Sequence, residues 1–270
     1  MYIPALRFAS LACALLACLC PLSSVHAADL TVGGTGSATE LLRRLGDAFS
    51  KHGEARTDVV PSLGSSGGIR AVADGVLDLA VSGRPLKPAE VKQGMAVPLV
   101  LRTLFIFATS HPRPNALKSS DLSKAYASLN PAWTDGTPIR IVIRPPSDSD
   151  TDLIAQLFPG LGAAVEAARK RPDVPVAATD QDNLNVAEQL PGSLVGSTLT
   201  QITLEKRSLR AIAIDGVEPT LENFERGTYR YGKSLYFIVP AKPTPLAELF
   251  IVFLRSAEGQ ALLRQALLIL

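Results

Sequence analysis

Short apolar segments alternate with segments of helical periodicity along this chain. Eight segments rich in Val, Ile and Leu predict strands, at residues 30–33, 58–63, 77–82, 99–109, 139–144, 174–179, 210–215 and 234–239. Apolar residues recur every three or four positions over 38–49 and again over 246–254, as they do on one face of a helix. This alternation predicts an α/β architecture with largely parallel sheets.

The first 27 residues have the pattern of a secretory signal peptide. A short, weakly positive start precedes the apolar run 8–20, and the segment ends at Ala27 in the small-x-small pattern that signal peptidases cut. The run is too short to span a membrane, which takes about 20 apolar residues. We therefore expect export from the cytoplasm and cleavage after Ala27. A lipoprotein signal, with lipidation of Cys18, is the alternative that the sequence leaves open.

Charge and composition exclude several classes of partner. The chain has 27 Lys and Arg against 25 Asp and Glu, without a basic run, so electrostatic capture of nucleic acid is not expected. All the cysteines, Cys13, Cys18 and Cys20, lie in the predicted signal, so the mature chain has no disulfide and no thiolate metal ligand. The remaining histidines, His52 and His111, are interpreted as surface residues. No metal and no cofactor are expected.

Small residues and hydroxyls occupy three junctions between a predicted strand and a helix, at 33–39, 64–68 and 147–151. A helix N-terminus carries unpaired backbone N–H groups and a partial positive charge, both of which attract anions. In open α/β sheets such junctions lie at the carboxyl ends of the strands, where ligands bind. The three junctions together predict an oxyanion site, although a single Ser or Thr there is also an ordinary helix cap.

Two arginines follow strands at the same expected edge of the sheets, Arg84 and Arg144. A guanidinium can hold a tetrahedral oxyanion through two parallel hydrogen bonds. Both are therefore candidate ligands of the anion, and a solvated surface arginine is the alternative for each.

Catalytic and metal-binding patterns fit the sequence poorly. Residues 64–68 satisfy the G-x-S-x-G pattern that presents a hydrolase serine, here Ser66. His111 is the only histidine downstream, and no acid-then-histidine order follows it, so a serine hydrolase is the weaker hypothesis. The acidic spacing in 148–152 hints at a calcium loop, but the turn glycine and the closing glutamate are missing. We expect a protein that is not an enzyme.

These motifs resemble the phosphate-binding proteins of phosphate ABC transporters. The likeness is carried by residues 35–37, 64–68, 78–86, 122–133, 227–239 and 253–260. It extends over nearly the whole mature chain, and the Gly-Ser-Ser-Gly-Gly element at 64–68 is its most specific part.

The resemblance implies a type 2 periplasmic binding fold, in which two α/β lobes joined by two hinge crossovers close on a ligand. Lobe I is expected at 28–109 and 233–270, and lobe II at 110–232. The implied function is that of a monomeric periplasmic protein that binds phosphate or a related oxyanion for an ABC transporter permease. A non-transport sensor or scaffold built on the same fold is the alternative.

The resemblance also implies a set of ligand-binding residues, to which Arg84 is added as a charge on the opposite wall. By matching positions these are Ser37, Ala38, Thr39, Ser65, Ser66 and Gly67 in lobe I, and Arg144, Ser149 and Thr151 in lobe II.

Three departures from the family pattern leave the identity of the anion open. Gly83 stands where the phosphate binders have an aspartate that accepts the proton of hydrogen phosphate and so excludes sulfate. The family's Ser-Gly-Thr turn has become Ser149-Asp150-Thr151, preceded by Asp148, and its arginine aligns with Arg144 only after a shift of about one position. A carboxylate repels a divalent anion unless it accepts a proton. Asp148 or Asp150 replaces the missing acceptor, or the site takes another anion.

Overall fold

The structure is a computed structural model that describes residues 29–52, 55–113 and 116–270. The predicted signal peptide, with both Cys18 and Ala27, lies outside the described residues. In the described part of the chain, none of the helices is both long enough and apolar enough to cross a membrane.

The strands of the described residues are β1 (Leu30–Gly34), β2 (Thr57–Val60), β3 (Leu79–Ser82), β4 (Ala96–Thr109), β5 (Arg140–Ile141), β6 (Ser193–Thr198), β7 (Arg210–Ala211), β8 (Gly232–Val239) and β9 (Leu268–Ile269).

The α-helices are α1 (Thr39–Ser50), α2 (Gly64–Ala73), α3 (Pro88–Lys92), α4 (Ser119–Ala127), α5 (Ser149–Leu157), α6 (Leu161–Arg169), α7 (Asp180–Gln189), α8 (Leu199–Leu204), α9 (Leu221–Glu225), α10 (Pro245–Arg255) and α11 (Ala257–Gln265), and a 3-10 turn, Gly36–Ala38, leads into α1. Helix α1 buries Leu41, Leu45 and Phe49 on one face, as its periodicity predicts.

The strands form a mixed arrangement in the order β2-β1-β3-β8-β4-β6-β5. The pairs β1–β2, β1–β3 and β5–β6 are parallel, whereas β8 is antiparallel to β3 and β4, and β4 is antiparallel to β6, β7 and β9. The prediction of largely parallel sheets is therefore wrong. The long strands β4 and β8 cause the difference, because they run between the two halves of the molecule and pair in opposite directions.

One predicted strand does not form a ladder, and one strand of the structure was not predicted. Residues 174–179 make only a single bridge, Val176 to Ile143, because Pro175 has no N–H to continue a ladder. Strand β6, which the apolar pattern missed, contains only two large aliphatic residues, Leu194 and Val195, between serines and a glycine. Strand β6 nevertheless pairs with both β4 and β5 in the centre of its sheet.

Buried apolar residues form two main cores joined by two strands. One core gathers residues mostly from 30–101 and 235–268, and the other gathers residues from 104–231. Strand β4 passes from the first core to the second between Leu101 and Leu104, and the chain returns between Tyr231 and Leu235 in β8. This is the predicted two-lobe α/β fold with two crossovers. The proposed lobe limits at 109 and 232 stay a prediction.

Candidate functional site

A cavity of about 450 Å³ lies between the two lobes. Its first wall consists of residues 62–67, Arg84 and Lys87, and its second wall of residues 144–149, Asp152 and 178–180. These are the predicted junctions at 64–68 and 147–151. A larger cavity of about 720 Å³ lies wholly on the second lobe, around prolines 131, 138, 172 and 175, away from every predicted junction. The inter-lobe cavity is therefore the candidate site.

Two serine hydroxyls of the first wall lie in the first turn of α2, which begins at Gly64. The φ angle of Gly64 is +71°, a left-handed conformation that glycine adopts without steric cost. The Ser65 hydroxyl accepts a hydrogen bond from the backbone N–H of Gly83 (2.9 Å) and lies 3.3 Å from the hydroxyl of Ser149 on the opposite wall. The Ser66 hydroxyl accepts from Nη2 of Arg84 at 3.0 Å. The adjacent Gly67 also lines the cavity.

Arg84 carries a positive charge that is already balanced. Its Nη2 lies 2.8 Å from a carboxylate oxygen of Glu90, and both side chains are mostly buried. The hydrogen bond from Arg84 holds the pKa of the Glu90 carboxyl below its usual value, so this carboxylate stays ionised. The ion pair fixes the guanidinium beside Ser66 on the first wall.

Arg144 of the second wall is buried and held by its own lobe. Its Nη1 donates to the carbonyl of Ala177 (2.7 Å), and its Nη2 donates to Oδ2 of Asp148 (2.6 Å). Asp148 also caps α5, because its other oxygen accepts from the backbone N–H of Asp150 at 2.9 Å. Two of the three guanidinium nitrogens are thus committed to local partners. The third, Nε, is buried without one.

Two parts of the predicted ligand set lie outside the cavity lining. Thr151 donates its hydroxyl to the carbonyl of Pro145 (2.9 Å), which ties it to its own loop. Ser37, Ala38 and Thr39 are buried and do not line the cavity. The structure therefore brings together Ser65, Ser66, Gly67, Arg84, Arg144 and Ser149 around the cavity.

Lys233 is a charged residue of the cleft that the sequence patterns missed. It stands at the start of the crossover strand β8 with 1% of its side chain exposed, and its Nζ lies 2.5 Å from Oδ1 of Asp150. The same nitrogen donates to the hydroxyl of Ser37 at 3.2 Å. Burial lowers the pKa of Lys233, but the carboxylates of Asp150 and Asp180 raise it by more, so the ammonium stays charged. The available signal was one lysine beside an apolar strand, which is typical of many exposed positions.

Asp180 is a second residue that the patterns missed. It is the first residue of α7, lines the cavity, and lies 3.7 Å from Nη2 of Arg144. Burial raises the pKa of Asp180 to about 6, and the carboxylates of Asp150 and Asp148 act in the same direction against Lys233 and Arg144. The group is therefore a carboxyl that changes charge near neutral pH.

The resemblance expects the family aspartate at Gly83. In the structure, Lys233 and Ser149 occupy the space that a side chain at this position would need. An ideal Cβ there would approach Cε of Lys233 and Oγ of Ser149 to 2.9 Å each, which is too close for either atom to stay in place. The volume above Gly83 is thus held by a cationic side chain and a hydroxyl.

The charged groups of the cleft form one cluster with an excess of carboxylates. Lys233 and Arg144 are its cations, and Asp148, Asp150 and Asp180 are its anions. With every group ionised, the cluster carries one net negative charge. Because these groups are buried, water screens their interactions weakly, and their charges act strongly on one another.

Polar contacts join the two walls. Nε2 of Gln181 donates to the carbonyl of Gly36 (2.9 Å), and the hydroxyl of Ser62 donates to Oε1 of the same amide (2.8 Å). Together with the pair between Lys233 and Asp150, these contacts fasten α7 and α5 of the second lobe onto the first lobe.

Neither histidine of the described residues, His52 or His111, is hydrogen-bonded to Ser66. Nε2 of His111 lies 3.0 Å from Oδ2 of Asp135, and that of His52 lies 3.0 Å from Oε2 of Glu258. His111 is 3% exposed, so its interpretation as a surface residue is wrong. Its ring packs against Trp133 in the second lobe. Within the described ranges, no group of three or more His, Cys, Asp or Glu side chains is arranged to hold a metal ion.

Several solved structures share this fold. A protein described as a phosphate ABC transporter substrate-binding protein with bound phosphate, from Clostridium perfringens, is 18% identical over 90% of this chain and 99% of its own, with a TM-score of 0.77. An ABC-type phosphate transport receptor from Vibrio cholerae is 19% identical over 89% and 99%, with a TM-score of 0.63. The effector-binding domain of QuiR in complex with shikimate is 12% identical over 86% and 98%, with a TM-score of 0.56.

Sequence comparisons agree with this fold. A search of curated protein sequences finds no match to this chain. A family model described as a PBP superfamily domain matches residues 23–258, which is most of the chain. The chain belongs to the PBP superfamily.

Proposed function

We propose that this protein is a periplasmic solute-binding protein that binds phosphate or a related oxyanion between its lobes. It then passes the anion to the permease of an ABC transporter. The fold is shared with the phosphate receptors of Clostridium perfringens and Vibrio cholerae, which supports the assignment to this class.

One observation carries the proposal: hydroxyl groups from both walls converge near a buried ammonium. Ser65 and Ser66 approach from the first lobe, Ser149 approaches from the second, and Lys233 is buried beside Ser149 with its Nζ against Asp150. Hydroxyls donate hydrogen bonds to an oxyanion, and a buried cation offsets its charge. A ligand that contacts both walls stabilises the closed arrangement of the lobes, which is how a binding protein reports its ligand.

Export and delivery belong to the same proposal. The signal pattern of residues 1–27 directs the chain to the periplasm, where a monomer meets its permease. The cleft has no covalent role in this mechanism: the hydroxyl of Ser66 accepts from Arg84, and a guanidinium cannot serve as the base that an attacking serine needs.

A non-transport sensor or scaffold is the second candidate. Two features favour it: Gly83 stands in place of the family's proton acceptor, and the charged cluster of the cleft is net negative. The effector-binding domain of QuiR shows that this fold also occurs in a protein other than a transport receptor.

Thermal unfolding of the purified protein against a panel of oxyanions tests these candidates. The panel contains phosphate, sulfate, molybdate, phosphonates and small carboxylates, with chloride at equal ionic strength as the control. A ligand at a hundred times its dissociation constant adds about 2.7 kcal/mol to the free energy of unfolding. For a chain of this size, that raises the midpoint by roughly 5 to 10 °C.

A rise with phosphate or another oxyanion is the expected result. If chloride and every oxyanion give the same midpoint, the binding proposal is wrong, and the sensor or scaffold becomes the leading candidate.

A further inference from the structure

The carboxylate of Asp180 lies where the two lobes meet at the cavity. An ideal Cβ on Gly36 of the first lobe would lie only 2.6 Å from Oδ2 of Asp180, so the carboxylate reaches the backbone of the opposite lobe. The same oxygen lies 3.7 Å from Nη2 of Arg144. Asp180 is 8% exposed and forms part of the cavity wall. An anion bound at this part of the cavity wall would lie close to the Asp180 carboxyl group.

The charged groups that face Asp180 come from three places. Lys233 faces it from β8, Asp148 and Asp150 from the start of α5, and Arg144 from the loop before that helix. The turn Gly36–Ala38 of the first lobe has no titratable side chain. When Asp180 is ionised these groups carry one net negative charge, and when it is protonated they are neutral.

We propose that Asp180 is a specificity-determining residue, and that the cleft takes up its oxyanion together with one proton held on this carboxyl group. The inference rests on the proposed function and deepens it. The protonated carboxyl removes the excess negative charge and offers an O–H donor to the anion. This reverses the role of the family aspartate, which accepts a proton from its ligand.

The proposal explains how an acidic cleft can hold an anion. An ionised Asp180 repels the incoming charge, and burial leaves little water to screen that repulsion. The pKa of Asp180 is already raised to about 6 by burial, and an anion nearby raises it further. By linkage, affinity then falls as the pH rises through this range, by at most about tenfold per pH unit for one proton.

Calorimetry with inorganic phosphate tests the proposal between about pH 5 and pH 8. The wild-type protein is compared with Asp180→Asn, which keeps the shape of the side chain but cannot ionise. Asp152→Asn is the matched control, because Asp152 is an exposed carboxylate that lines the same cavity. Phosphate titrates in this range itself, so the quantity of interest is the ratio of the dissociation constants of wild type and variant. The ligand contributes equally to both.

We expect this ratio to approach a constant at the acid end and to rise by up to about tenfold per pH unit above pH 6. The ratio for Asp152→Asn stays flat. A second measurement needs no variant: titrations in buffers of different ionisation enthalpy count the protons taken up. Once the protonation of phosphate itself is subtracted, the wild-type complex takes up close to one proton near pH 7.

Two negative outcomes have different meanings. Phosphate binding with a pH-independent ratio and no extra proton uptake overturns the role of Asp180 and leaves the proposed function in place. If neither the wild type nor Asp180→Asn binds phosphate at any pH, and no other oxyanion of the panel raises the midpoint of thermal unfolding, the proposed function fails and this inference fails with it.

Discussion

The two walls of the cleft hold their polar groups in opposite ways. On the first wall the hydroxyls of Ser65 and Ser66 lie at the start of α2, and the only charged pair among their partners, Arg84 with Glu90, is balanced. On the second wall the groups are mainly ionised, and Asp148 and Asp180 both surround Arg144. Lys233 is buried between the two lobes, where it pairs with Asp150 of helix α5.

This difference separates two tasks. A wall whose contacts are mainly serine hydroxyls can bind any oxyanion with little dependence on pH, because these hydroxyls do not change charge near neutrality. The cluster of carboxylates and cations sets the net charge of the cleft, and therefore how strongly the cleft repels or attracts an anion. We therefore expect mutations on the first wall to change affinity uniformly, and mutations in the charged cluster to change stability and pH dependence.

Removal of the Lys233 ammonium gives the largest expected effect on stability. Lys233→Met keeps most of the side-chain volume but leaves Asp150 and Asp180 buried without their ammonium partner. Breaking one partner of a buried ion pair costs about 3–5 kcal/mol in the free energy of unfolding. Urea denaturation measures this loss.

Two variants control this measurement. Lys87→Met removes an exposed lysine from the same cavity and is expected to change the free energy of unfolding by less than about 0.5 kcal/mol. Adding Asp150→Asn and Asp180→Asn to Lys233→Met restores stability, because no buried charge is left unpaired. Equal costs for Lys233→Met and Lys87→Met would show that the cluster does not behave as a buried ion pair.

The pH dependence of stability gives the next largest effect. The pKa of Asp180 is raised from 3.8 to about 6 in the folded state, so protonation favours folding. Its contribution is fully present below about pH 4 and is lost as the pH rises through about 6, a change of about 3 kcal/mol. The free energy of unfolding of the wild type relative to Asp180→Asn therefore falls between pH 4 and pH 7.

Other carboxylates act mainly below this pH window, and they are common to the wild type and the variant. Glu90, Asp135, Asp173 and Asp215 have lowered pKa values, so their stabilising contributions are lost only below the window of Asp180. Chemical denaturation at several pH values measures the difference. Parallel stability curves for wild type and Asp180→Asn would contradict the raised pKa.

Loss of the first-wall hydroxyls gives the smallest expected effect on stability. The double variant Ser65→Ala with Ser66→Ala loses the hydrogen bonds to Gly83 and Arg84. Each loss lowers the free energy of unfolding by about 1 kcal/mol. Phosphate affinity measured by calorimetry falls by a similar factor at every pH, because neither hydroxyl titrates. Thr151→Ala is the control, since this hydroxyl donates to the carbonyl of Pro145 and Thr151 itself does not line the cavity. An unchanged affinity in the double variant would remove Ser65 and Ser66 from the site.

The hydroxyls of the first wall could be predicted from the sequence, whereas the charged residues Lys233 and Asp180 could not. Small residues and hydroxyls at 64–68 are contiguous, and their position between strand and helix follows from local periodicity. Lys233 and Asp180 are single residues whose neighbours lie far away in the chain: Asp150 is 83 positions from Lys233. Their effect depends on burial, and nothing in the local sequence distinguishes a buried lysine from an exposed one.

The sequence alone determined the export signal pattern, the α/β class, the helix that begins at Gly64 and the placement of two serines in its first turn, because each depends on neighbouring residues. Its resemblance to the phosphate binders also implies that Gly83 stands in place of the family aspartate. Only the tertiary structure decided the antiparallel pairing of β4 and β8, the burial of His111, and the cluster of Lys233, Asp150 and Asp180. The strand pairing and the charged cluster arise where the two lobes meet, and His111 is buried within the second lobe. The charge of a buried group is set by the solvent it loses and the partners it gains on folding.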